Sequence, residues 1–463
     1  MAPDPGREER EPAPEGSEAG PTTAPPTADP TLEGADLARR RFFRSFASDV
    51  FSAAATVVGT AQALQRTSTE TARALLGGEG DEPPVVGSAP RVAVAVAGVR
   101  PSGFRPAFRW DGPRLYLVDQ RRLPDELLEH LVEGAADAVV AMRDLVVRGA
   151  PVLGQVAAIS LALTAGRLRG AQPFARRAMI RGSASGLRDA RPAVASLGWA
   201  IDRMLARFEA VGSLLEDGNV VADALWTEAE AIVYEATDAH GRLAEHGLAV
   251  LPNRVAPDEG GTSRPLQVLT HGTSGALAGG QFGTALAVVV AAHDAGREIH
   301  AWVDETRPGF DGTRISAWEL EQAGVPHTVI PDSAAASLIA AGRVDAIVVG
   351  ADRAAANGDT AATIGTYPLA LVAARHGIPF YVCAPRPAFD LTVADAAGLP
   401  LEHRSALDLT RFGDATIAPP STPALNPVVD VTPAELITAF VTDVGILAPP
   451  FTRSIAAAFA EDG

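Results

Sequence analysis

The sequence predicts an α/β protein in which a mainly helical N-terminal domain is followed by a Rossmann-like domain built on a parallel sheet. Apolar residues recur at helical spacing through most of residues 124–250. From residue 267 onward, short β-branched or apolar runs alternate with segments of helix length, which is typical of a doubly wound parallel sheet. We therefore expect a helical domain at 92–255 and a sheet domain at 256–463.

The composition is that of an ordinary globular protein. Of the 463 residues, 47% are hydrophobic and 21% are charged, and no apolar run is long enough for a membrane span. The net charge of -17 would repel a phosphate backbone, so nucleic acid is not an expected partner. The single cysteine, Cys383, excludes an intramolecular disulfide and fits a reducing cytoplasm, where we expect it to be a buried, small hydrophobic residue.

The first 91 residues are expected to precede both domains. Residues 1–36 are rich in Pro, Glu, Gly, Ala and Thr and contain no aromatic residue, which predicts a disordered acidic tail. Residues 37–77 carry apolar side chains at steps of three and four, which predicts an amphipathic helix. The glycines and prolines of residues 78–91 indicate a linker.

Three interpretations of the amphipathic helix remain open. The helix docks onto a partner protein or a second copy of the chain, or it packs on its own domain. In the third interpretation, Arg39, Arg40 and Arg41 before an alanine-rich apolar stretch form a twin-arginine export signal. Asp49 interrupts that stretch and the acidic tail precedes it, which argues against export.

The two domains contain specific expected elements. Alternating residues such as Leu115–Val118 indicate a small β element within 92–124. Helices are expected over Ala136–Val147, Ala193–Val211 and Val221–His246. Five strands are expected in the sheet domain, at Leu266–Thr270, Ile299–Val303, His327–Ile330, Ala346–Val349 and Phe380–Cys383.

The residues that follow these strands are candidates for a ligand site, because the carboxyl ends of parallel strands meet at one edge of the sheet. Asp and Ser are also common helix caps, so each residue taken alone has a structural explanation. Their concentration at one edge favours a functional site. The segments are Thr270–Gly275, Asp304–Pro308, Asp332–Ser333, Gly350–Arg353 and Ala384–Pro385.

Several motifs occur together in one order and spacing along the chain. They are Arg148–Pro151, Ala190–Pro192, Val268–His271, Gly283–Leu286, Asp304–Pro308, Gly350–Arg353, Ala356–Asp359, Ile364–Thr366, Asn426–Pro427 and Asp430–Pro433. With these motifs the chain resembles the methylthioribose-1-phosphate isomerase family over residues 108–451. Related chains are ribose-1,5-bisphosphate isomerase and the regulatory subunits of eukaryotic initiation factor 2B.

The resemblance implies an aldose-to-ketose isomerisation of a phosphosugar, with a cysteine and an aspartate at the reacting carbons. Asp352 stands at the aspartate position and is the implied proton donor or acceptor. Gly272 stands at the cysteine position and cannot exchange a proton, so the two-residue mechanism cannot run unaltered. His271, Thr273 and Ser274 are the neighbouring candidates to replace the cysteine; alternatively, His271 is a structural residue that supports its neighbours.

The resemblance also implies a phosphate cradle, and two of its positions are changed. Asp311 replaces the family's glutamine and would repel a phosphate at close range, and the family's Asn-Lys pair is replaced by two small residues, which removes a cation. These changes predict that a plain phosphorylated pentose is no longer the natural ligand. The expected substrate-binding residues are Arg148, Gly149, Ala150, Arg191, Asp311, Thr273, Ser274, Ala362 and Thr363.

Two functions are compatible with these residues. The first is a divergent aldose–ketose isomerase that uses Asp352, with His271 as a second catalytic candidate, on a sugar or sugar-phosphate substrate. The resemblance implies a homodimer for it. No metal or organic cofactor is expected, because no histidine or carboxylate cluster has ligand spacing and no glycine-rich dinucleotide fingerprint follows a strand. The second is a non-catalytic binding or regulatory protein, similar to the initiation-factor subunits, with residues 37–77 as a possible partner-binding segment.

Overall fold

The computed structural model describes residues 106–252 and 264–459. The predicted tail, amphipathic helix and linker lie outside these ranges, as do Arg39–Arg41. The expected boundary between residues 255 and 256 lies outside them too, so all of these interpretations stay predictions. All described residues fall in one compact unit.

The described chain begins with a small antiparallel sheet in the order β1–β2–β3. Its strands are β1 (Phe108–Asp111), β2 (Arg114–Val118) and β3 (Glu129–Val132). Leu115 and Leu117 are buried on one face of β2, which confirms the predicted β element. β3 was not predicted; it lies between residue 124 and the first predicted helix and is held by backbone hydrogen bonds to β2.

Five helices follow, and they confirm the predicted helices to within a few residues. They are α1 (Ala135–Arg143), α2 (Ala150–Arg167), α3 (Pro173–Arg188), α4 (Ala195–Val211) and α5 (Gly218–Val250). Helix α2 is buried along nearly its whole length, and its apolar residues cover all of its faces, as expected for a helix packed inside others. The side chain of Asp217 caps α5 by accepting from the amide of Asn219.

The rest of the chain is mixed α/β. Its strands are β4 (Leu266–His271), β5 (Ile299–Asp304), β6 (His327–Ile330), β7 (Ala346–Val349), β8 (Arg353–Ala355), β9 (Thr360–Thr363), β10 (Phe380–Cys383), β11 (Phe389–Asp390), β12 (Arg411–Phe412), β13 (Ala415–Thr416), β14 (Val429–Thr432), β15 (Ala439–Thr442) and β16 (Gly445–Leu447). Its α-helices are α6 (Ala276–Gly279), α7 (Ala285–Asp294), α8 (Ala317–Gln322), α9 (Ala335–Ala340), α10 (Thr366–His376), α11 (Leu407–Thr410) and α12 (Phe451–Phe459).

The large sheet has the order β6–β5–β4–β7–β10–β15–β16. All its neighbouring strands are parallel except β15 and β16, which are antiparallel. The five predicted strands are confirmed, whereas β15 and β16 were not predicted. Alternate strand residues pack on two separate apolar clusters, one with α5, α7 and α8 and the other with α9, α10 and α12, so both faces of the sheet are covered.

The strand order reverses direction between β4 and β7. The chain runs outward from β4 through β5 to β6, then returns to β7 beside β4 and continues through β10 and β15. Such a switch point leaves a crevice at the carboxyl ends of the two central strands, where α/β proteins bind ligands. Within the residues that the structure describes, no helix combines the length and apolar character of a membrane span.

Candidate active site

Asp352 lies at this switch point, three residues after the end of β7. Its backbone is held on both sides, because its amide donates to the carbonyl of Ala361 at 3.0 Å and its carbonyl accepts from the amide of Ala195 at 3.1 Å. Ala195 is the first residue of α4 and Ala361 belongs to β9. Helical and sheet parts of the chain therefore fix the position of this carboxylate together.

The side chain of Asp352 lines a cavity and has no hydrogen-bond or ion-pair partner among the described residues. Burial raises the pKa of Asp352 to about 6. The positive charge of Arg191 lowers this pKa by a smaller amount, and the negative charge of Glu402 raises it. Arg353, the next residue, is directed elsewhere: its Nη1 atom lies 2.7 Å from Oδ2 of Asp390. The carboxylate is therefore available to a ligand.

His271, the last residue of β4, is buried and has both ring nitrogens engaged. Nδ1 lies 3.0 Å from Oδ2 of Asp304, and Nε2 lies 2.8 Å from the carbonyl oxygen of Ile364. Burial alone would lower the pKa of His271, but its hydrogen bond to Asp304 and the charge of that group together raise it. The ring borders the cavity without an unpaired nitrogen, which favours a supporting role over the expected catalytic one.

Gly272 follows β4 with φ of +76°, a backbone conformation that favours glycine. A Cβ atom on this residue would lie 3.0 Å from Oγ1 of Thr363. The Thr363 side chain thus occupies the space next to Gly272 that a larger residue there would need. Thr273 also lines the cavity, but Ser274 does not, since its Oγ accepts from the amide of Leu286 in α7 at 3.2 Å.

The two expected phosphate-binding arginines each contact an acid. Nη1 of the buried Arg148 forms an ion pair with Oδ1 of Asp311. Nε of Arg191 donates to Oε2 of Glu402 at 2.9 Å, and Arg404 lies 3.6 Å from the other oxygen of that carboxylate. Asp311 was expected to repel a phosphate, and the structure shows that it holds Arg148 instead.

Several nitrogens of this arginine group still have capacity to donate. Nε of Arg148 and Nη1 of Arg191 are buried without a hydrogen-bond partner. Arg148 lies two residues before the start of α2, where Ala150 and Pro151 line the cavity. Gly149 is required here, because φ is +113° and a Cβ would lie 2.3 Å from the Cα of Ala278.

The cavity itself is narrow, with a volume of about 30 Å³, which is room for about one or two water molecules. Of the expected site residues, six line it and five lie outside its lining. Those that line it are Asp352, His271, Ala150, Thr273, Ala362 and Thr363, and those outside are Arg148, Gly149, Arg191, Asp311 and Ser274. A sugar phosphate would need this crevice to widen.

Two buried acids, Asp304 and Glu319, and the partly buried Glu402 support other residues near the site. Asp304 holds His271 and Glu402 holds Arg191, while Glu319 accepts from the amide of Leu277 at 2.8 Å and supports the short helix α6. Burial raises the pKa of Glu319 to about 8. Only Asp304 had a sequence signal, as the first residue after a predicted strand.

Donor atoms of His271, Asp304 and Asp332 lie within 4.8 Å of one another in the described part of the chain and are close enough to hold a cation. Both oxygens of Asp332 already accept backbone amides, from Thr306 at 2.7 Å and from Arg307 at 2.8 Å. Metal binding would break these hydrogen bonds and those of His271. The expectation of a metal-free protein stays a prediction.

Cys383 is fully buried at the end of β10, which confirms its expected place in the core. Burial raises the pKa of its thiol, so the reactive thiolate form is disfavoured. The residue lies outside the lining of the cavity that contains Asp352. It therefore does not replace the cysteine that position 272 lacks.

Comparisons with known proteins give a consistent assignment. The model of the initiation factor 2 subunit family matches residues 146–449. A methylthioribose-1-phosphate isomerase from Desulforudis audaxviator is 43% identical over 350 residues, covering 75% of this chain and 96% of the relative. The crystal structure of 5-methylthioribose 1-phosphate isomerase from Pyrococcus horikoshii has 34% identity and a TM-score of 0.69, covering 78% of this chain and 97% of that one. Translation initiation factor eIF-2B, subunit delta, from A. fulgidus has 32% identity and a TM-score of 0.63, with coverage of 76% and 98%.

Proposed function

This chain belongs to the initiation factor 2 subunit family, and on that premise we propose that it is an aldose–ketose isomerase whose proton-transferring group is Asp352. The observation that carries the proposal is the carboxylate of Asp352, which lines the crevice at the switch point and has no side-chain partner among residues 106–252 and 264–459. Relatives that are more than 40% identical bear the name methylthioribose-1-phosphate isomerase, which supports the same reaction class here.

The reaction removes the hydrogen on C2 of the sugar as a proton and adds a proton at C1; in a cyclic sugar 1-phosphate the bond between C1 and the ring oxygen breaks as well, and the ring oxygen takes a proton from solvent. With a pKa of about 6, Asp352 is mostly ionised at pH 7 and still basic enough to take a carbon-bound proton and return it to the neighbouring carbon. Since residue 272 is glycine, we assign both transfers to this one carboxylate. The enediol formed between the two steps carries its developing charge on oxygen, where hydrogen-bond donors are needed.

Those donors are available around the same cavity. Thr363 and Thr273 line it, and we propose that their hydroxyl groups donate to the substrate oxygens. The start of α2, where Ala150 lines the cavity, is the positive end of the helix dipole and favours a negatively charged group. We assign His271 to holding the backbone beside Gly272 in place, through its bonds to Asp304 and Ile364.

The substrate is proposed to be a sugar or sugar phosphate related to methylthioribose 1-phosphate, with a weaker dependence on the phosphate. Arg148 and Arg191 each face a carboxylate already, from Asp311 and Glu402. A phosphate would have to compete with these acids for the guanidinium groups, so its binding free energy is reduced. Unphosphorylated or partly substituted pentoses therefore belong in any substrate panel.

The experiment that tests this function follows aldose-to-ketose conversion by NMR. The panel contains methylthioribose 1-phosphate, ribose 1-phosphate, 5-deoxyribose 1-phosphate and the free sugars, all of which carry the C2 hydroxyl that becomes the ketone. Wild type is expected to convert at least one of them, and Asp352→Asn is expected to lose about 1,000-fold in rate, because a positioned general base contributes about 100- to 10,000-fold. The control is Asp202→Asn, which removes an exposed carboxylate on α4 that pairs with Arg188.

The outcomes separate clearly. Conversion by wild type with normal rates in Asp202→Asn and almost none in Asp352→Asn supports the proposal. Equal rates in Asp352→Asn and wild type would remove Asp352 from the mechanism. Failure of wild type to convert any sugar in the panel would contradict the isomerase itself.

The second candidate is a non-catalytic binding protein. It is favoured by the glycine at position 272 and by the narrow cavity of about 30 Å³, together with the structural match to an initiation factor subunit. We propose for this case that residues 37–77 bind a partner protein, and for both cases that the chain forms a homodimer. A pull-down with residues 1–90 and light scattering of the chain with and without them test these points. No captured partner and unchanged assembly would count against the binding function.

A further inference from the structure

Gln120 is a buried polar residue, 1% exposed, in the segment that follows β2. Its Nε2 atom donates to the carbonyl oxygen of Arg148 at 3.3 Å and to that of Leu277 at 2.9 Å. Two carbonyl acceptors at one end of the side chain fix the orientation of the amide, because only its nitrogen can donate. Gln120 therefore joins the segment before α2 to helix α6. The first two residues of α2 and the last two of α6 line the cavity that contains Asp352.

The main chain of Gln120 holds the same region. Its amide donates to the carbonyl of Val146 at 2.9 Å, so Gln120 contacts the segment before α2 at both position 146 and position 148. Its carbonyl accepts from Nη2 of Arg314 at 3.0 Å. Arg314 follows Asp311 by three residues, and Asp311 forms the ion pair with Arg148. Gln120 is thus bonded both to the segment of Arg148 and to the turn that carries its acid partner.

The bond from Gln120 reaches Arg148 where the backbone is least restricted. The accepting carbonyl belongs to the peptide group between Arg148 and Gly149, and Gly149 has φ of +113°. Leu145, at the other end of the connection between α1 and α2, also has a positive φ, of 59°. A glycine at one end gives this connection several accessible backbone conformations, so bonds from outside it are needed to keep Arg148 in one of them.

Gln155 in α2 is a close counterpart of Gln120. It is also 1% exposed, and its Nε2 atom donates to the carbonyls of Gly279 at 2.6 Å and Pro151 at 3.1 Å. Each glutamine therefore forms one hydrogen bond to α6 and one to a residue at or before the start of α2. The difference lies in the second acceptor, because Gln155 bonds a residue of its own helix, whereas Gln120 bonds Arg148 from a distant part of the chain.

We propose that Gln120 is a positioning residue for anion binding, which keeps the guanidinium of Arg148 in the place where it meets the negatively charged group of a substrate. The proposal rests on the proposed function, since it takes Arg148 as a contact of that group. Gln120 lies outside the lining of the cavity that contains Asp352 and acts only through Arg148. Its loss should therefore weaken anion binding and leave proton transfer at Asp352 unchanged.

The test compares Gln120→Met with its matched control, Gln155→Met. Methionine has nearly the length of glutamine but no N–H group. In both glutamines, Oε1 is buried without a hydrogen-bond partner among the residues that the structure describes. Each variant therefore loses two hydrogen bonds to backbone carbonyls and one unpaired oxygen, and the thermal midpoints of unfolding should fall by similar amounts. Calorimetry on the full chain then measures the affinity for inorganic phosphate, which requires no turnover.

Gln120→Met is expected to bind inorganic phosphate about tenfold more weakly than wild type, because one charged donor is misplaced. Gln155→Met is expected to bind phosphate as wild type does. For the phosphorylated sugar that wild type converts fastest, Gln120→Met should raise KM by a similar factor and change kcat by less than about twofold. If wild type converts no sugar, the phosphate affinities still test Gln120, so failure of the isomerase and failure of this proposal are distinguishable.

Three results would overturn the proposal. Equal losses of phosphate affinity in the two variants would show that Gln120 acts only through stability. An unchanged affinity in Gln120→Met would show that Arg148 keeps its place without this bond, and a wild type that binds no phosphate would remove the anion site itself. Should a methionine variant not fold, Gln120→Asn and Gln155→Asn, which shorten the side chain by one carbon, make the same comparison with the same expected difference.

Discussion

The two ends of the candidate active site differ in how their charges are partnered. At one end, Asp352 has no partner among the described residues, and its pKa is raised to about 6 by burial. At the other, Arg148 and Arg191 each form an ion pair with an acid. An unpaired buried carboxylate reduces folding stability, so its presence is typical of a site that uses it. The arginines are stably paired, and a phosphate must displace those partners before it binds.

The largest expected effect is that of replacing Asp352, which should lower the activity and raise the stability of the protein. Asp352→Asn is expected to reduce turnover by about 1,000-fold and yet to raise the free energy of unfolding by about 2 kcal/mol above pH 6. The folded pKa is raised above the ordinary value of 3.8, so the wild type loses stability as the pH rises from about 4 to 6. Urea unfolding at pH 8 and pH 4 measures this; a less stable variant at pH 8 would mean that the carboxylate has a partner after all.

The second prediction tests whether the ion pair between Arg148 and Asp311 limits phosphate binding. Asp311→Gln removes the acid that holds this arginine and is expected to strengthen the binding of inorganic phosphate about tenfold, because a competing anion is lost. Calorimetry measures the affinity, with Asp414→Asn in an exposed turn as the charge-matched control. Unchanged phosphate binding in Asp311→Gln would show that the ion pair does not limit the site.

Glu319 provides a buried acid that lines no part of the Asp352 cavity. Its pKa is raised to about 8, so its contribution to stability is complete below about pH 4.5 and is lost as the pH rises through 8. Glu319→Gln is expected to reduce the fall in stability between pH 6 and pH 9 by up to about 2 kcal/mol. Thermal unfolding across this range measures it, and a fall of the same size in the variant would contradict the assignment.

The smallest effect is the coupling between Gly272 and Thr363, which lie against each other. Gly272→Cys alone is expected to destabilise the chain by about 2 kcal/mol, because of the positive φ and the nearby hydroxyl. In the double variant with Thr363→Ala, the free energy of unfolding is expected to be about 1 kcal/mol higher than the two single variants predict by simple addition. A double-mutant cycle measures this coupling. Strict additivity would show that Thr363 does not fill the space beside Gly272.

The sequence predicted the strands that form the site better than it predicted the partners of the charged residues in it. The five central strands were recognisable as short buried runs, and their ends brought Asp352, His271 and Thr273 to one crevice, as a parallel sheet requires. β15 was not predicted, although it is a buried run of four residues like β7 and β10. β3 was not predicted because pairing with β2, and not a local pattern, decides its conformation.

The partners of the charged residues could not be predicted in the same way. Glu402 contacts Arg191 from 211 positions away in the sequence, and Glu319 supports a helix that begins more than 40 positions before it. A single acid in a chain with many acids has no pattern of its own, so only the folded structure identifies which one meets an arginine. Gly272 suggested a missing catalytic group, but the position of Thr363 beside it required coordinates.

The most direct test of Asp352 as the proton-transferring group is the pH dependence of kcat/KM for the sugar that is converted fastest. The carboxylate must be ionised to accept a proton, so the rate should rise tenfold per pH unit below about 6 and level off above it. The carboxyl carbon of Asp352, assigned by comparison with Asp352→Asn, should titrate at the same pH in NMR spectra. A rate that is flat across pH 6, or a carboxyl that titrates near its ordinary value of 3.8, would contradict this account.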